Sequence, residues 1–436
     1  MSFAGACAPL HERTEEAPPP GPPAPVPTTA ALALERTGPT YPERPIRLVI
    51  GGDLLPHRPS LVSASAIRDA LAPLASTFAS ADAAIANYEA ATGTLDAKAA
   101  RLEYAAPPGW LEELPQAGLE AITVANNHAC DLGEEGLDAT LDAASKSGLL
   151  PLGGDRTDPW APRVVAEHAG KRVCAIAWTN LLNSRGGACA KGRRLAIAPT
   201  SALGRRRIDE AFSRARGTCD ATVAIFHGGE EYVQQTSAVL DQAAHAAEVG
   251  AAAVVIHHPH IASPVIVHVT KDGRSVPIFS SVGNLVTNQG ESWKPSMFPV
   301  LRENRRLVCV NGWTRLGVLA DLSFGWDAEG ARLSWGYHLV WIDNPHADDR
   351  TIAVPKITTR LLDPVEDKAI VGRLSDDPVG PVALFQDACW IEGSGSDGDK
   401  AVRCRTSLTG TDVPKNRDAV APRAARTPGR RKKGPI

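Results

Sequence analysis

Residues 221–260 read ATVAIFHGGEEYVQQTSAVLDQAAHAAEVGAAAVVIHHPH. The run 221–226 is apolar, short and β-branched, which favours a buried strand, and it closes on His227. Residues 237–249 then repeat apolar side chains at helical spacing, with Thr236 or Ser237 as the cap and Gly250 as the stop. A second apolar run, 251–256, ends in His257, His258 and His260. Strand, helix and strand in this order predict an α/β fold. Four of the chain's twelve histidines stand at the ends of these two strands.

The alternation extends outward on both sides. IRLVIGGD (46–53) reads as a buried strand, residues 63–80 as helical around a break at Pro73, and DAAIANYE (82–89) as the next strand. GWLEELPQAG precedes EAITVAN, EEGLDATLDAASKSG precedes LPLGG, and a helix over 202–216 leads into the strand at 221. RVVAEHAG and KRVCAIAW pair through a Gly-Lys turn, and residues 263–284 form a hairpin around Asp272-Gly273. Residues 314–342 give a second hairpin, and no internal repeat is visible. The expected organisation is a proline-rich, disordered leader (1–43), a domain over 44–345, an irregular extension over 346–412 that packs back on the core, and a disordered basic tail (413–436).

Composition limits the partners. A net charge of −3 steers the 436-residue chain toward no partner, and the basic tail lacks the interleaved aromatics of a nucleic-acid surface. No stretch approaches ~18 uncharged apolar residues, so no membrane span is expected. The N-terminus has no basic region followed by an apolar one. Eight cysteines lie scattered at 7, 130, 174, 189, 219, 309, 389 and 404 without CxxC spacing, so reduced thiols and a cytoplasmic location are expected.

In open α/β sheets, ligands bind beyond the carboxyl ends of strands. The polar residues at those positions are Asp53; Asn87 and Glu89; Asn126, Asn127 and His128; His227 and Glu231; His257, His258 and His260; and Asn284. Singly, each has a structural explanation as a cap or a hydrogen-bonded core residue. Together they offer imidazoles, carboxylates and an amide oxygen, a donor set suited to manganese, zinc or iron rather than to a thiolate site.

The blocks GGDLLPHRP, ANYEAATGT, VANNHACDLGEEGLDATLDA, HGGEEY, VVIHHPHIASPV and IFSSVGNLV together resemble the capsule-synthesis CapA family, the poly-γ-glutamate capsule biosynthesis proteins of the calcineurin-like metallophosphoesterase superfamily. The resemblance spans about residues 46–290. It implies a four-layer αββα sandwich with a site for divalent ions, expected to be two, at one edge. Asp53, Glu89, Asn127, His227, His258 and His260 would take the ligand positions, with Glu89 bridging, and His128 would stand beside the scissile bond. His57, Asn126, Glu231, His257, Gly283 and Asn284 would support the site or bind substrate. The wider superfamily has histidine where this chain has Leu55, and the family pattern has tryptophan at Gly228, glycine at Ile256 and leucine at Tyr88.

This constellation implies hydrolysis of a phosphoester on a phosphorylated or polyanionic small molecule or polymer. The alternative it leaves open is a non-hydrolytic accessory role in making poly-γ-glutamate or another anionic capsule polymer. On an extended segment, side-chain alternation would turn His258 and His260 into the site and His257 away. Residues 183–207 carry seven basic residues and form either an anion-binding lip or a solvated loop.

Overall fold

Two sheets face each other, and the computed structural model describes them over residues 44–385 apart from 58–59, 62, 95–102, 184–188, 190–193, 298–307, 328–329, 350, 364–365, 378–379 and 383. The expected leader and basic tail lie outside the described residues, as does most of 184–193. Near the centre of the larger, eight-stranded sheet is β1 (Ile46–Leu54). On one side β2 (Ala83–Tyr88), β5 (Ala121–Thr123) and β6 (Leu150–Leu152) follow in parallel. On the other side β14 (Leu316–Asp327), β15 (Gly330–Asp343) and β16 (Thr358–Leu361) run antiparallel in turn. A short ladder of β3 (Ala91–Thr92) and β4 (Ala105–Ala106) lies apart.

The smaller sheet is built from β7 (Arg163–His168), β8 (Lys171–Thr179), β9 (Ala221–His227), β10 (Ala253–His257), β11 (Ala262–Val269) and β12 (Ser275–Val282), in the order β11-β12-β10-β9-β8-β7. Its β8, β9, β10 and β12 are parallel, as the βαβ reading of 221–260 requires. Gly273 at φ +85° closes the β11–β12 hairpin at the expected turn.

Strand periodicity sorts the buried side chains into layers. Leu48 and Ile50 of β1 meet Val223, Ile225 and Val255 between the sheets. Val49, one residue out of step, packs instead with Ile67 and Leu71 of the helix Ala64–Leu71 and Leu137 of the helix Gly133–Lys146. On the far side, Ala224, Val254 and Ile256 pack on Ile208 and Phe212 of the helix Ala202–Ala215 and on Val239 of the helix Ser237–Glu248. Helices therefore cover both outer faces, and the fold is the four-layer αββα sandwich expected from the sequence. Each fully buried aliphatic side chain contributes about 1.5–3 kcal/mol, so these three packed layers are the main source of stability.

One close approach places the site. β13 (Asn284–Val286) pairs in parallel with the end of β1, setting Asp53 opposite Asn284. A Cβ on Gly52 would lie 2.1 Å from the Gly283 carbonyl oxygen, so only glycine admits this strand so near Asp53.

Two expectations are corrected. The stretch after 345 is partly regular: β16 extends the large sheet, the helix Lys368–Ser375 follows, and Asp377 accepts a hydrogen bond from Trp313 Nε1 at 2.8 Å. The thiols are not free: Cys130 is bonded to Cys189 and Cys174 to Cys219, and no described cysteine is unpaired. Both bonds join residues 45 or more positions apart, a proximity that only the tertiary fold creates. No helix among the described residues is long and apolar enough to cross a membrane.

Candidate metal centre

The carboxyl ends of β1, β2, β9 and β10 and the turn after β5 converge on one buried cluster. Asp53 Oδ2 lies 3.2 Å from His260 Nδ1, and Glu89 Oε1 lies 3.6 Å from His227 Nε2 and 3.7 Å from His260 Nε2. His227 Nε2 is also 2.8 Å from Asn127 Oδ1 and 3.0 Å from His258 Nδ1. Among the described residues, two groupings have the reach to hold an ion: Asp53, Glu89 and His227, and Glu89, His258 and His260, with ligand atoms within 4.8 Å of one another in each. Glu89 belongs to both.

The strand-end geometry follows from backbone conformation. His258 and His260 adopt φ +103° and +57°, a left-handed turn around Pro259 rather than the extended chain expected. Alternation is thus the wrong cause for the right outcome: His258 and His260 face the cluster, while His257 Nε2 turns to the Gly51 carbonyl at 2.9 Å. Strain of this kind is tolerated where a site requires it.

Electrostatics single out Glu89. Burial raises its carboxyl well above the ordinary value, and the nearby Asp53 and Glu231 push it further. Neither of its oxygens has a hydrogen-bond partner among the described residues. Burial, the largest single influence, opposes the charged forms of both Asp53 and His260, but their mutual hydrogen bond, their opposite charges and the hydrogen bonds with Asn87 and Asn284 together outweigh it, lowering Asp53 and raising His260. Burial and the neighbouring imidazoles hold His227 well below its ordinary value and His258 at about 3, so both are neutral and able to donate a lone pair. A completely buried carboxyl group with two unsatisfied oxygens beside the neutral imidazoles of His227 and His258 fits a divalent cation, which would supply the missing partner.

Around this cluster the chain positions further groups. Asn87 Nδ2 donates to Asp53 Oδ1 at 2.8 Å, and its oxygen accepts from Thr123 and Asn126. Asn126 Oδ1 accepts from His128 N–H at 3.1 Å, and Asn284 Oδ1 is 3.0 Å from His260 Nδ1. Glu231 is solvent-exposed. His57 stands outside both groupings: its Nδ1 meets Thr287 Oγ1 at 3.0 Å and the Asn288 N–H at 3.2 Å, and burial lowers its pKa to about 3. Leu55 is buried, so the position where the superfamily has a histidine offers no ligand here.

Asp131, Asn183 and Tyr104 were not singled out from the sequence. Asp131 Oδ2 lies 2.6 Å from His128 Nδ1 and accepts from Tyr104 N–H at 2.7 Å. Asn183 Nδ2 approaches the same imidazole nitrogen at 3.2 Å, and the Tyr104 ring centre is 4.4 Å from that of His128. Asp131 had a signal, since a carboxylate three residues after His128 shares its turn; the other two come from remote loops and had none.

Comparison with known proteins gives a family model described as Bacterial capsule synthesis protein PGA_cap, matching residues 47–289. The chain is 30% identical over 185 residues to the Capsule biosynthesis protein CapA of Bacillus anthracis, covering 41% of this chain and 43% of that one. It is 29% identical over 176 residues to the PGA biosynthesis protein CapA of Bacillus subtilis (strain 168), covering 39% and 43%. The match thus spans less than half the length of either relative. Every residue of the buried cluster lies within 47–289, and the chain belongs to the bacterial capsule synthesis PGA_cap family.

Proposed function

We propose that the cluster hydrolyses a phosphoester in the service of capsule-polymer synthesis, with Asp53, Glu89, Asn127, His227, His258 and His260 holding one or two divalent ions and His128 acting as the proton donor. The observation that carries this reading is Glu89, buried, without a partner for either oxygen and shared by both groupings. When bound, the ions would lower the pKa of a water to near neutrality and offset phosphoryl charge. The chain's own residues do the rest. Asp131 takes the Nδ1 side of His128, which leaves Nε2 as the nitrogen free to exchange a proton with the leaving oxygen. Asn126 and Asn183 fix the turn that carries it. The names of the curated relatives support the capsule context.

The domain is assigned to 44–345, with the later residues as an extension of its sheet and core. The paired cysteines support an oxidising compartment in place of the cytoplasm expected from reduced thiols.

The test is metal stoichiometry and aryl phosphate turnover with manganese on two neighbouring variants. Asn127→Ala is expected to lose metal and turnover together. His128→Ala is expected to keep the metal and lose about 10²–10⁴-fold in rate. A wild type that binds metal yet hydrolyses no phosphoester with any divalent ion would replace this reading with the non-hydrolytic accessory role.

A further inference from the structure

Beside the candidate ligands lie amide groups that nothing among the described residues satisfies. Asn180 follows β8, whose last residue Thr179 is in register with His227, and its backbone N–H donates to the His227 carbonyl at 2.9 Å. Its side-chain Oδ1 and Nδ2 are both buried without a hydrogen-bond partner, and so is Oε1 of Gln235. Gln235 is held by its other amide atom, Nε2, which donates to the Gly228 carbonyl at 2.9 Å. The two amides fill space left by consecutive glycines. A Cβ on Gly228 would lie 2.7 Å from Asn180 Cγ, and one on Gly229 would lie 2.2 Å from Gln235 Oε1. Three residues further on, Asn183 N–H donates to the Asn127 carbonyl and its side chain reaches His128. The segment 180–183 thus runs along the rim from His227 to His128.

Unpaired buried amide atoms are costly, and two neighbouring half-buried residues have the freedom to turn their amides to solvent. Their inward setting calls for a partner that brings both a donor and an acceptor. We propose that Asn180 and Gln235 form a subsite for an amide group of the substrate, adjoining the metal centre. Two oxygens accept an N–H and one NH₂ group donates to a C=O, so a single planar amide meets both signs at once. A carboxylate or phosphate is disfavoured here, since it would leave two acceptor oxygens facing its own charge. The glycine at 228, where the resembled family has tryptophan, is the substitution that gives Asn180 its place.

This inference rests on the phosphoester reading and refines it, so binding and turnover are measured separately. The full manganese-loaded chain is titrated by calorimetry with N-acetyl-O-phosphoserine methylamide and with glycerol 1-phosphate, a probe bearing hydroxyls in place of amides. Wild type is expected to prefer the amide probe about tenfold. Asn180→Leu should abolish that preference, and Gln235→Met should reduce it severalfold; the second variant still reads the ratio if the first does not fold. Equal affinity for both probes in wild type, or a preference that survives in both variants, overturns the subsite. A preference that depends on Asn180 without any turnover supports the subsite while removing the hydrolase reading.

Discussion

Glu89→Gln separates a metal ligand from a structural carboxylate. The side chain is fully buried, and Gln preserves its size while removing its charge. Without metal, an ionised Glu89 would be an uncompensated buried charge, so the raised carboxyl value means that the metal-free fold holds it neutral. The metal-free variant should therefore melt at or above wild type. With metal the two diverge. At a free concentration of about 100 Kd, binding to the native state adds about 2.7 kcal/mol. Unfolding entropy of about 2.1 cal/mol/K per residue over residues 44–385 amounts to roughly 0.7 kcal/mol/K, so wild type should gain about 4 °C in Tm. Losing the charge that both groupings share would weaken binding by more than the 10–100-fold typical of groups one contact removed from a metal, which leaves a gain of under about 1 °C. The assay is thermal melting of chelator-stripped protein, titrated with manganese and then zinc. A variant that keeps the full shift would refute Glu89 as a ligand.

Three further outcomes follow from particular contacts. Asp131→Asn should keep metal stoichiometry and KM but lower kcat by about 10²-fold or more, because the Nδ1 side of His128 loses its carboxylate; unchanged kcat would leave Asp131 a purely structural role. Burial works to raise the Asp321 carboxyl, but hydrogen bonds from His338 and Arg47 outweigh it and hold it below the ordinary carboxylate range. A depressed folded value stabilises above the unfolded pKa of about 3.9 and is lost as pH falls through and below it, so Asp321→Asn should cost about 3 kcal/mol at pH 7 and progressively less in melts toward pH 2. Replacing Cys174 and Cys219 by alanine should cost about 4 kcal/mol for the 45-residue separation that the bond closes, and thiol titration of the unfolded, unreduced chain should find none of Cys130, Cys174, Cys189 and Cys219 reactive.

The fold was legible where local pattern and global packing agree. The run 221–260 carries its strand periodicity, cap position and stop in consecutive residues, and the structure forms β9, the helix Ser237–Glu248 and β10 from it. Even there the cap at Thr236 makes no side-chain hydrogen bond, so position in the sequence pattern, not capping energy, located the helix start. The converging histidines and carboxylates were readable because strand ends are read one strand at a time. Contacts between distant loops were not: Asn183 meets His128 across 55 positions, and Cys189 meets Cys130 across 59. No periodicity encodes a pairing of that kind.

The same distinction explains why the departures from the family pattern carry more information than its agreements. Leu55 closes one ligand position with an apolar side chain, so the cluster depends more heavily on Glu89, which both groupings share. Gly228 opens a space that Asn180 fills from the turn after β8. A side chain lost at one place in the sequence is thus answered by one from elsewhere in the fold, and the answer brings different chemistry: an indole would supply one donor and a large apolar face, whereas a carboxamide supplies a donor and an acceptor. On the proposed reading, the ligand set would decide which class of reaction the centre supports, while Asn180 in the space beside Gly228 would decide what the rim recognises. Under the proposed amide subsite, specificity would rest with residues that are invisible as a motif, because their proximity to the centre exists only once β8 and β9 have paired.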